Sequence, residues 1–107
     1  MNRVMGDLEL ASVVIEGFLG DLPGQVEMLK GFAAAGEVKH IDQQAHKMKG
    51  AAATMGAEAL RAAIFAIERA AKAGDLDRVA ACMPDFDAQI EALTKLLKNE
   101  IQAAAKT

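Results

Sequence analysis

Apolar residues recur along this chain at alternating steps of three and four, the spacing that lines one face of an α-helix. Leu8, Ala11, Ile15, Phe18 and Leu22 make the first such stripe and predict a helix from about Asp7 to Gly20. Asp21, with Pro23 just behind it, predicts a cap and a restart, because aspartate accepts hydrogen bonds from the free amides of a helix start and proline is tolerated in the first turn. The restarted helix carries Val26, Leu29 and Phe32 or Ala33 and stops near Gly36. Val38, Ile41, Ala45, Met48, Ala52 and Met55 form the next stripe, from about Glu37 to Met55, with Gly56 as a left-handed terminator. Leu60, Ile64, Ile67 and Ala71 define a further helix that ends before Gly74, and Asp75 caps the segment after it. From about Asp75 to Ala105 the spacing continues through Val79, Met83, Phe86, Ile90, Leu93, Leu97 and Ile101. Pro84 within that stretch predicts a kink, or a short helix followed by a long one starting near it.

Short connections favour antiparallel neighbours, so the pattern predicts an all-α protein: an antiparallel up-and-down four-helix bundle with an additional N-terminal or split helix. Composition agrees. The chain is 52% hydrophobic, with four Phe and no Trp or Tyr, which suits close-packed helices better than sheets. A length of 107 residues is that of one domain, with its core expected between about 7 and 104.

Charge narrows the partners. A formal net charge of -3 offers no clustered basic face for nucleic acid. The single cysteine, Cys82, excludes an intramolecular disulfide and supplies no metal pair; it reads as a small buried hydrophobe. Asp7, Glu9 and Glu16 interrupt what would be the apolar part of a signal peptide, and no apolar run is long enough to cross a bilayer. The expected location is the cytoplasm, without direct membrane contact.

Candidate chemistry gathers around His46. At 100° per residue, His46 sits about 130° from the centre of the apolar stripe of its helix and should face outward. The surface sector centred on it contains Lys39, Asp42, Lys49, Gly50 and Ala53. Glycine inside a helix costs about 1 kcal/mol relative to alanine, so Gly50 in so alanine-rich a chain calls for a reason. One is close approach by another molecule; the other is tight packing of a neighbouring helix. An exposed neutral imidazole presents a nitrogen lone pair able to attack phosphorus, and Lys49, one turn on, offers positive charge for phosphoryl oxygens. His40 lies about 240° around the helix from His46, so the two cannot converge on one ion. No HExxH, CxxCH or clustered carboxylate–histidine set is present, and no GxxxxGK[ST] loop for ATP. Metal sites and cofactors are therefore not expected. On the following helix, Arg61, Phe65, Glu68 and Lys72 form a stripe beside the apolar one, where Glu68 and Lys72 could form a surface i, i+4 ion pair. Leu10, Val13 and Val14 lie off the apolar stripe of the first helix, and exposed hydrophobes there, with Phe65, could seat a partner beside His46.

The run Ala45-His46-Lys47-Met48-Lys49-Gly50, followed by small residues and Gly56, resembles the signature of histidine phosphotransfer (HPt) domains. The resemblance extends from Phe18-Leu19 and Asp21-Leu22-Pro23 to Leu60, Glu68 and Gly74-Asp75. Met48 stands where leucine is commoner, a volume-conserving change. The resemblance implies a phosphorelay intermediate: His46 would accept a phosphoryl group from the aspartyl phosphate of one response-regulator receiver and pass it to the aspartate of another. Lys49 would stabilise the phosphate. Glu68 stands where the family carries Gln or Glu, and would accept a hydrogen bond from the imidazole Nδ1–H and hold Nε2 outward. Lys72 stands at a position often basic, as a phosphate or partner contact. Gly50, Ala53, Lys39, Asp42, Val13 and Phe65 would form the docking surface. The implied partners are receiver domains, a hybrid sensor histidine kinase, or both. Mg²⁺ would belong to the receiver, and the chain, expected to be a monomer, would be a carrier rather than an enzyme. A non-phosphorylated helical interaction module and a dimerising bundle with Gly50 at a helix contact are the other readings.

Overall fold

Each of the three reversals in the chain turns on one glycine in the left-handed conformation: Gly36 (φ 70°), Gly56 (φ 70°) and Gly74 (φ 69°). The same pair of hydrogen bonds closes all three. The glycine N–H donates to the carbonyl three residues back, and the next N–H donates to the carbonyl five back: Glu37 to Phe32 at 3.0 Å, Ala57 to Ala52 at 2.9 Å and Asp75 to Ala70 at 2.9 Å. This double closure satisfies helix-end carbonyls that would otherwise lack donors, and it requires a residue that tolerates positive φ.

The computed structural model describes the backbone of residues 2–106 and the side chains of residues 13–103. Between the turns run four helices: α1 (Asn2–Ala35), α2 (Val38–Thr54), α3 (Glu58–Lys72) and α4 (Leu76–Lys106). Each packs on its neighbours in sequence, and α1 closes the ring by packing on α4, giving an up-and-down four-helix bundle. The core consists of Leu29 of α1, Ile41, Ala45, Met48 and Ala52 of α2, Leu60, Ile64, Ile67, Ala70 and Ala71 of α3, and Val79 and Phe86 of α4. All but Ala70 are residues of the apolar stripes. Leu8, Leu10 and Ala11 lie outside the residues whose side chains are described.

The expected break at Asp21 does not occur, and there is no additional or split helix among the described residues. α1 is a single helix of 34 residues with Pro23 inside it. The reason lies in the stripe, since Ile15, Phe18, Leu22, Val26 and Leu29 continue one face across the proline. Interior proline costs about 3 kcal/mol. Burying Leu22 and Leu29 alone returns about 1.5–3 kcal/mol each, so packing outweighs the local signal. Pro84 is likewise internal to α4, a continuous helix of 31 residues, because Val79, Phe86 and Leu97 anchor both sides of it. Asp75 does cap α4, its Oδ1 accepting the Arg78 N–H at 3.0 Å. No helix among the described residues is long and apolar enough to cross a membrane.

Candidate functional site

Burial of Ile41, Ala45, Met48 and Ala52 fixes the rotation of α2 and turns His46 to the surface. Its side chain is 73% exposed. On α3, the buried run of Ile64, Ile67 and Ala71 places Glu68 at the seam with α2, where only 2% of its side chain is exposed. The two residues meet there. His46 Nδ1 and Glu68 Oε2 are 2.8 Å apart, and Lys49 Nζ donates to Glu68 Oε1 at 2.6 Å. One carboxylate from α3 thus holds two side chains one turn apart on α2.

Burial pushes the Glu68 carboxyl up, but the hydrogen bonds from Lys49 and His46, together with their charges, pull it further down, to a net value below the usual 4.5. Glu68 is therefore ionised at neutral pH. An ionised carboxylate only accepts hydrogen bonds, so the proton of the bond lies on Nδ1. The neutral ring then carries its lone pair on Nε2. A buried charge without partners would be costly; here both oxygens are satisfied.

Lys49 is 23% exposed, and its Nζ also stands 4.9 Å from the centroid of the half-exposed Phe65 ring. Arg69 approaches the same ring, its Cζ 5.7 Å from the centroid. Cation–aromatic contacts of this kind hold long side chains in place. Arg69 was not singled out from sequence, although its i+4 spacing from Phe65 is the available signal. Gln44, also missed, is buried and ties α2 to α1 by donating to the carbonyl and side-chain oxygens of Gln25.

Glu68 does not form the surface pair with Lys72 that helical spacing allows. Its burial turns it toward α2, and Lys72 lies instead 3.8 Å from Asp42 Oδ1. Gly50 is exposed, and a Cβ built there would meet nothing within 4 Å, so packing within the bundle does not explain the glycine. Ala53 and Lys39 are exposed, and no hydrogen bond or ion pair among the described residues joins either to His46 or Glu68. Val13 is 66% exposed on α1. His40, in the first turn of α2, stacks on Phe32 of α1 at 5.0 Å between ring centroids. Cys82 is only partly buried, packed against the core. No group of three or more His, Cys, Asp or Glu that could hold a metal occurs among the described residues.

A helical bundle in which a buried carboxylate holds the inner nitrogen of an exposed imidazole, with a lysine on the next turn, has the features of a phosphoryl carrier. The family model of the Hpt domain matches residues 13–106, and the chain belongs to this family. Hpt domains take part in histidine phosphotransfer in two-component phosphorelays, as carriers rather than enzymes with ATP sites, and they interact with receiver or kinase partners. Neither the curated proteins nor the solved structures compared with the chain gave a significant match.

Proposed function

We propose that the protein is a phosphorelay intermediate in which His46 Nε2 receives a phosphoryl group from the aspartyl phosphate of one receiver domain and gives it to the aspartate of another. The Nε2 lone pair attacks phosphorus as the P–O bond to the receiver aspartate breaks, and the carboxylate leaves with the bonding electrons. Nδ1 keeps its proton, so the phosphorylated ring carries a positive charge against Glu68. The onward step is the reverse, with a second carboxylate as nucleophile.

The observation that supports this reading is the 2.8 Å contact between Nδ1 and a buried, ionised Glu68. It orients the ring and selects the nucleophilic nitrogen before any partner arrives, and alignment is the larger part of what phosphoryl transfer requires. Lys49, steadied by Glu68 and Phe65, supplies positive charge for the equatorial oxygens, and Lys72 adds to it. Gly50 and Ala53 leave the approach to His46 low, while Val13, Phe65, Lys39 and Asp42 contribute to the docking surface. The catalytic Mg²⁺ sits in the receiver.

A receiver domain supplied with acetyl phosphate and Mg²⁺ should label the wild-type chain with acid-labile, base-stable phosphate, and His46→Gln should take up none. Labelling that survives the substitution would overturn the assignment.

A further inference from the structure

Asp42 and Lys72 form a second rung across the α2–α3 seam. Asp42 precedes His46 by one turn on α2, and Lys72 follows Glu68 by one turn on α3, so the pair lies beside the His46–Glu68 contact. Two observations make this rung unlike the first. Asp42 Oδ1 is buried yet has no hydrogen-bond partner among the described residues. Its one cation among the described residues, Lys72 Nζ, is 3.8 Å away, beyond hydrogen-bonding distance, on a side chain that is 60% exposed. The carboxylate is thus under-satisfied and the lysine loosely held.

We infer that Asp42 parks Lys72 in the unphosphorylated protein and surrenders it to the phosphoryl group on His46, so that Asp42 sets how strongly that group is retained. The inference rests on His46 being the acceptor. A long ion pair whose lysine is mostly exposed contributes little, whereas a phosphoryl group offers an ammonium several charged acceptor oxygens at short range. Lys72 has a flexible stem and three donors, and is free to pivot from one rung to the next. Asp42 opposes retention in two ways: it competes for Lys72, and its charge repels the phosphoryl group one turn away.

Phosphoramidate serves as a partner-free donor. Its P–N bond to ammonia breaks, a P–Nε2 bond forms, and ammonia leaves with the electron pair and a proton. With phosphoramidate and ammonium fixed, phosphorus NMR reads the ratio of phosphorylated to free His46. Asp42→Asn should raise that ratio about fivefold and Lys72→Met should lower it by a similar factor, as expected for one near-surface charge interaction. In the Lys72→Met background the effect of Asp42→Asn should fall to less than half, and Lys72→Arg should restore most of the wild-type ratio. The Lys72 side-chain NMR signal should move when wild-type protein is phosphorylated, while that of Lys30, paired with Asp87, stays in place.

An Asp42→Asn effect undiminished without Lys72, or a Lys72 signal that does not move while His46 is loaded, would overturn the inference and leave the acceptor role intact. The second measurement uses unmodified protein and does not depend on a variant folding. A wild-type chain that takes up no phosphoryl group from phosphoramidate or from a receiver would overturn both readings together.

Discussion

Glu68 and His46 join a carboxylate that is 2% exposed to an imidazole that is 73% exposed, through a contact of 2.8 Å. The bond runs from the interior of the bundle to its surface. Its inner end is held by core packing, and its outer end lies open to solvent. The second oxygen of Glu68 holds Lys49, so the exposed imidazole and the lysine one turn on share one anchor.

Replacing that anchor should separate shape from charge. Glu68→Gln keeps one carbonyl oxygen to accept from Nδ1–H but turns an amide toward Lys49. It should lower stability in urea unfolding by about 1–3 kcal/mol and slow phosphotransfer moderately. Glu68→Leu removes both acceptors and should slow transfer further. Equal transfer rates for the two variants would show that the ring needs no partner at Nδ1.

The anchor also makes stability depend on acidity. The Glu68 carboxyl is depressed in the folded protein below its ordinary 4.5, so the folded state favours the ionised form. Its stabilising contribution is complete above that ordinary value and is lost as the pH falls below it, through the folded-state value. Unfolding free energy measured from pH 6 down to pH 2 should therefore fall less steeply in Glu68→Gln than in wild type. Parallel curves would refute this.

Two glycines, one inside α2 and one in the turn that follows it, should respond in opposite senses to the same substitution. At Gly50 a methyl group meets nothing within 4 Å, so Gly50→Ala should raise stability by up to about 1 kcal/mol. At Gly56 the φ of 70° imposes a left-handed conformation, so Gly56→Ala should lower stability by about 1–2 kcal/mol. Thermal unfolding of both proteins checks the pair. If Gly50 serves docking, Gly50→Gln should slow transfer from a receiver while leaving loading from phosphoramidate unchanged.

Pro23 lies exposed inside α1, where it supplies no N–H to the helix. Pro23→Ala restores a donor and removes the ring from the preceding turn, and should stabilise the protein by about 1–3 kcal/mol in urea unfolding. Unchanged stability would mean that the bundle already accommodates the ring without cost.

The apolar stripes made most of the fold legible, because helical periodicity is a local property and the core uses the residues it marks. The outward direction of His46 followed from the same count. The continuity of α1 was not legible: Asp21 and Pro23 carry a strong local stop signal, and only the burial of Leu22 and Leu29 against other helices overrides it. Helical spacing hid the partners of Glu68 for a related reason: the resemblance alone implied His46, and Lys49 was not anticipated. Spacing on α3 permits Lys72, while the actual contacts depend on the register between α2 and α3, which no single stripe encodes. The position of Glu68 was suggested only by resemblance to a family.

The ring of His46 and the two groups that hold and flank it, Glu68 and Lys49, come from two segments of chain, separated by a turn and brought together only by assembly of the core. A short peptide spanning residues 38–54 would contain the nucleophile and the lysine, but nothing to choose between the two ring nitrogens. On the proposed reading, competence to carry the group and integrity of the bundle would rise and fall together, so a heated or truncated sample should lose transfer as it melts.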